Sequence, residues 1–113
     1  MDVKWSPHAE ELLDDIVIGI AIALSIDDGL AWESKLRAAS DQLADFPYLG
    51  TEIPLVCFHT VPTNVERLRQ IICKPYRIVY ETVEDEIHVL SIRHARMLIA
   101  EGDTDWSRTA TNH

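Results

Sequence analysis

Apolar positions along the chain fall into two regimes, a helical period up to about residue 46 and a strand-like one from residue 66 onward. Val3-Lys4-Trp5 alternates apolar and polar and stops at Ser6-Pro7, which predicts a short first strand. Ser6 suits a helix N-cap, and Pro7 suits the first turn, where a missing N–H costs nothing. A helix is expected from about His8 to Leu24, with Ala9, Leu13, Ile16, Ile20 and Leu24 on one face. Glu10, Glu11, Asp14 and Asp15 occupy its first turns, at the positive end of the helix dipole. Its second half, IVIGIAIAL, is apolar all round and needs cover on more than one side.

Asp27-Asp28-Gly29 reads as a break with a new N-cap. Trp32, Leu36, Ala39, Leu43 and Phe46 then repeat at helical spacing and stop before Pro47. The short connection makes the two helices an antiparallel hairpin. Ile53 to Thr60, with Pro54 and Pro62 nearby, is expected as an edge strand or loop. Glu66–Lys74, Tyr76–Val83 and Glu86–His94 are rich in Ile, Val, Leu and Tyr, with reversals at Lys74-Pro75 and Glu84-Asp85. They predict a three-stranded antiparallel meander. Ala95 to Ala100 is expected as a last helical turn. The fold class is therefore α+β: an N-terminal strand and an antiparallel helical hairpin packed on one face of a small, mainly antiparallel sheet. Residues 1–100 are expected to form one domain, and 101–113 a polar, frayed tail on which Trp106 has the means to dock.

Composition narrows the function. A chain of 113 residues, 47% hydrophobic and 26% charged, suits one globular domain with an ordinary core. Net charge is −9, unevenly spread. Residues 1–58 hold eleven acids against Lys4, Lys35 and Arg37, whereas residues 59–98 hold six bases against five acids. An acidic total argues against general nucleic-acid affinity but leaves room for a local arginine site. Cys57 and Cys73 lack disulfide or zinc spacing and are expected as buried thiols in a reducing compartment. The N-terminal MDVKWSPHAEE carries acids where a signal peptide has its apolar core, so a cytoplasmic location is expected. The run Ile16 to Ile26 is too short to span a bilayer, which takes about 20 residues. His59 and His88 have no ligand spacing; neither a metal site nor a cofactor is expected.

Four segments in order resemble the RelE/ParE toxin superfamily over about residues 3–98. These are VKWSPHAEELLDDI, LADFPYLGTEIP, LRQIICKPYRIVYE and IHVLSIRHARML. The resemblance implies a bacterial type II toxin held inactive by an antitoxin that wraps around it. RelE-like members cut messenger RNA on the ribosome without a metal; ParE-like members poison DNA gyrase. Arg77 stands where the superfamily has its strand arginine. For the nuclease reading, the residues that would carry the chemistry are Arg77, Arg69, His94 and Arg96. For the ParE-like reading, Arg77, Arg93 and Arg96 would meet the target. Strand parity places Arg77 and Val79 on one face, Tyr76, Ile78 and Tyr80 on the other, and Arg93 and His94 on opposite faces.

Three departures favour the ParE-like reading. Leu55 to Glu66 carries no lysine or arginine, no tyrosine follows Arg96, and the acidic total would be repelled by ribosomal RNA. Plainer roles compete at each position. Arg77 suits an ion pair with Glu81, His94 a cap, and Tyr76 and Tyr80 core positions with hydroxyls at the rim. The surplus apolar surface of the first helix implies an interface. Leu13, Ile16, Ile20 and Leu24 would receive a basic-rimmed antitoxin segment, or a second copy of the chain. A non-toxic binding module on the same fold is the third reading.

Overall fold

The computed structural model describes residues 1–107, so Arg108 to His113 lie outside the described residues. Strand β1 (Asp2–Trp5) leads into α1 (Pro7–Ala23) and α2 (Ile26–Asp41). A two-residue strand β2 (Thr51–Glu52) follows, then β3 (Leu68–Cys73), β4 (Tyr76–Val83) and β5 (Glu86–His94). Five strands form one sheet in the order β1-β5-β4-β3-β2, antiparallel except for the β1–β5 edge.

Ser6 fixes how the helices enter the sheet. Its hydroxyl accepts from the Ala9 N–H at 3.0 Å, capping α1, and donates to the Leu90 carbonyl at 3.2 Å. Its own N–H donates to the Val89 carbonyl at 3.0 Å. One residue thus starts the helix and ties it to the central strand pair. The cap of α2 is Ser25, accepting from the Asp28 N–H at 3.1 Å, and not the Asp27-Asp28-Gly29 triplet. Gly29 lies inside the helix for a packing reason: a Cβ there would sit 2.9 Å from the Val17 carbonyl oxygen. The hairpin is also clamped by Arg37, whose two terminal nitrogens donate to Glu10 at 3.0 and 2.6 Å.

The inner sheet face meets the helices through Ala9, Leu12, Leu13, Leu36, Ile78 and Ile92. Beside it, Leu43 packs with Tyr80 and Ile87. The Tyr80 ring is fully buried. Its hydroxyl donates to the Pro47 carbonyl and accepts from the Gly50 N–H, both at 2.9 Å. Burial pushes the Tyr80 phenol up despite nearby Arg69. Gly50 is obligatory there, since a Cβ would come within 2.7 Å of the tyrosine ring.

The outer sheet face is covered by chain outside the helices and main strands. Ile53, Phe58 and Ile99 pack on Leu68, Val79 and Leu90. Residues 53–60 are not a strand. Pro54 ends extended pairing, Leu55–Cys57 forms a short 3-10 turn, and Phe58 bridges Ile99. Residues 95–100 are not helical either: a turn closed by the Met97 N–H on the His94 carbonyl at 2.9 Å leads to Ile99, which bridges Phe58; the helical turn comes later, at Glu101–Thr104. Residues 101–107 are not frayed. Asp103 and Thr104 are buried, and the Trp106 indole stacks on His88 at 3.8 Å. Cys57 and Cys73 are half-buried free thiols at the margins of the two cores, short of the full burial expected.

Register carries one irregularity. Val79 pairs with Ser91 but Tyr80 pairs with Val89, so Leu90 is an extra residue in β5. Leu90 faces outward, and the bulge returns Ile92 to the helix side. Arg93 consequently faces the same side as its cross-strand partner Arg77.

Candidate functional site

The structure separates the basic residues. Arg77 and Arg93 are cross-strand neighbours on the outer face. Arg77 is 6% exposed; its Nη2 donates to the Ala95 carbonyl, while Nε and Nη1 have no partner among the described residues. It makes no pair with Glu81, which instead takes Arg67. A guanidinium this enclosed cannot reach a macromolecular target as it stands, which corrects the expectation of Arg77 in an exposed working surface.

Arg93 is committed to the C-terminal segment. Its Nε and Nη2 each donate to Asp103 at 3.0 Å. The same carboxylate meets His8 Nε2 at 2.7 Å and accepts from the Ala100 N–H at 3.1 Å. Burial opposes ionisation of Asp103, yet the Arg93 and His8 hydrogen bonds outweigh it and hold the carboxyl below its ordinary value. His8 comes from α1, Arg93 from β5 and Asp103 from the tail, so this network locks three distant segments.

Arg69 lies on the inner face, opposite Tyr80. Its Nε donates to the Gly50 carbonyl at 3.1 Å, and its guanidinium sits over the Tyr48 ring at 5.3 Å. His94 leans edge-on against Tyr76, with centroids 6.1 Å apart, and its Nδ1 accepts from the Arg96 N–H. The Arg96 side chain is exposed. Arg69 is level with Val89, five residues along β5 from His94, or about 16 Å at strand rise. The four residues of the nuclease reading therefore do not converge on one point.

The helical hairpin offers the larger uncovered surface. Buried residues of α1 are confined to His8, Ala9, Leu12 and Leu13, in its first turns. Leu13 is fully enclosed and cannot meet a partner, a correction to the proposed contact set: the sheet already covers it. Ile16 and Ile20 are half-buried, and Leu24 is 70% exposed. Beyond the sheet edge the tip of the hairpin exposes Ile18, Ile22, Leu24, Ile26 and Leu30 together. Asp14, Asp15, Asp27 and Asp28 are exposed around it, and no lysine or arginine occurs between Lys4 and Lys35. The apolar pattern marks the second half of α1 as surplus, and the structure leaves that half outside the buried set. Ile18 and Ile22 belong to the half of α1 that is apolar all round, whereas Ile26 and Leu30 of α2 lie outside both helical stripes.

A helical hairpin across one face of a small, mainly antiparallel sheet, with an uncovered hairpin tip, defines a two-layer α+β domain. The chain belongs to the family of the ParE toxin of the type II toxin–antitoxin system parDE, whose family model matches residues 3–99. It is similar in fold to the chromosomal ParDE TA system from P. aeruginosa. The TM-score is 0.66 at 19% identity, over 83% of this chain and 95% of that one. No curated protein matches. Among the described residues, no helix is long and apolar enough to cross a membrane.

Proposed function

We propose that the chain arrests growth in the cytoplasm by binding DNA gyrase, and that a cognate antitoxin neutralises it by covering the hairpin tip. It works as a binding protein and not as a ribonuclease. Membership of the ParE toxin family carries this reading. The dispersal of Arg69, Arg77 and His94 supports it, because general acid–base cleavage needs its groups within hydrogen-bond reach of one phosphate. Arg96, exposed beside the end of β5, remains for target contact, with Arg93 partly open beside it.

The apolar tip with its acidic surround suits an amphipathic antitoxin segment carrying basic residues at its rim. Ile16, Ile20 and Leu24 keep their proposed roles there, joined by Ile22 and Ile26.

Purified chain added to gyrase is expected to inhibit supercoiling and accumulate cleaved DNA, and the antitoxin to reverse both. Unimpaired supercoiling together with codon-specific cuts in ribosome-bound messenger RNA would move the assignment to the nuclease reading.

A further inference from the structure

A second site lies on the outer sheet face, at the hairpin end of β4 and β5, away from the helical tip. Glu81 and His88 are cross-strand partners there. Two adjoining hollows of about 470 and 390 Å³ share Arg67, Glu81 and Trp106 in their walls. The Trp106 indole, closed on one face by His88 at an interplanar angle of 16°, lines both.

Glu81 is 5% exposed, yet it is poorly satisfied. Its Oε2 receives Arg67 Nε and Asn64 Nδ2, each at 3.4 Å, and no hydrogen bond or ion pair reaches Oε1 among the described residues. Asp103, equally buried, shows what an enclosed carboxylate ordinarily takes: four contacts between 2.7 and 3.1 Å. His88, 7% exposed and lining one hollow, has a buried Nδ1 with no partner among the described residues. A buried carboxylate held by two long contacts has unused accepting capacity, and desolvation makes that capacity valuable to a donor.

The surrounding charge selects the ligand. Among the described residues, Glu84 joins Glu81 in the walls, against Arg67. An anion is disfavoured in such a setting, more so on a chain of net charge −9. A flat aromatic wall beside a two-oxygen acceptor suits a planar fork of N–H donors, which stacks on the indole and bonds the carboxylate bidentately. From this geometry we infer that the Glu81–Trp106 cleft is a binding site for an arginine side chain of a partner polypeptide. A polypeptide is the source because a free amino acid would bring its own carboxylate against Glu81 and Glu84. Arg67, 64% exposed at its side chain, is a loose occupant that the incoming guanidinium displaces from Glu81.

The test is a titration of isotope-labelled full-length chain with N-acetyl-arginine amide, following the Trp106 indole N–H by NMR. A saturable shift is expected, absent with the uncharged citrulline analogue and weaker with free L-arginine. Glu81→Gln should weaken binding at least about tenfold, since it removes a charge-assisted pair. Arg67→Ala should tighten it by freeing Glu81, an effect that a purely structural role for the pair would not produce. No saturable shift in the parent chain, equal shifts from citrulline, or unchanged affinity in Glu81→Gln would each overturn the inference. Should Glu81→Gln fail to fold, unchanged or weaker binding by Arg67→Ala overturns it instead. L-arginine binding as tightly as the amide would refute the polypeptide source.

Discussion

Asp103→Ala is expected to destabilise the chain by about 3–5 kcal/mol, because it removes one side of a buried charged pair and strands the other. Asp103 is fully enclosed, and both Arg93 and His8 depend on it. Without the carboxylate, Arg93 keeps its charge in a half-buried position beside Arg77, with which it is paired across the strands. The Ala100 N–H loses its acceptor too, so the Glu101–Thr104 turn and the docked Trp106 should detach. Urea unfolding measured on both chains checks the loss. A change below 1 kcal/mol would mean that the tail contributes little to the fold.

The same group sets an acid limb. Its folded pKa lies below the ordinary value of 3.8, so its contribution is fully present above that value. Stability is lost as pH falls below 3.8 through the lower folded pKa. Asp103→Asn should flatten this part of the stability–pH curve, whereas an unchanged curve would remove Asp103 as its source.

The second large effect concerns the partner. Ile22 and Leu24 are 81% and 70% exposed at the hairpin tip, so replacing both with asparagine should alter folding stability by at most about 0.5 kcal/mol each. Asparagine leaves the charge of the acidic surround intact and tests the apolar contact alone. Antitoxin affinity is expected to fall at least about 30-fold, the loss typical of removing an interface anchor. Calorimetric titration of antitoxin into each folded chain measures it. Equal affinities would place the antitoxin elsewhere on the surface.

Local pattern made much of this fold legible. Ser6-Pro7 announces the start of α1, and the paired runs Tyr76–Val83 and Glu86–His94 give β4 and β5 at their observed limits. These features depend on neighbours within a few residues, and sequence spacing reports those directly. What escaped depends on long-range contact. The helical stripe from Leu13 to Leu24 looks uniform in sequence, but the sheet ends beneath its middle and leaves Leu13 enclosed and Leu24 bare. Asp103 resembles any acid in a polar tail until His8 and Arg93, 95 and 10 residues away in sequence, converge on it. The Leu90 bulge has no marker of its own, since an extra leucine in an apolar strand fits either face. Arg77 looked available because strand parity gives its face; the apolar cover of that face comes from loop residues such as Phe58 and Ile99.

Growth of a bacterial culture after induction of this chain, alone and together with its antitoxin, tests the central claim most directly. Prompt arrest with the SOS response by the chain alone, relieved by the antitoxin, is the predicted result. Normal growth despite confirmed soluble expression would contradict it and leave the fold as a binding module without toxicity.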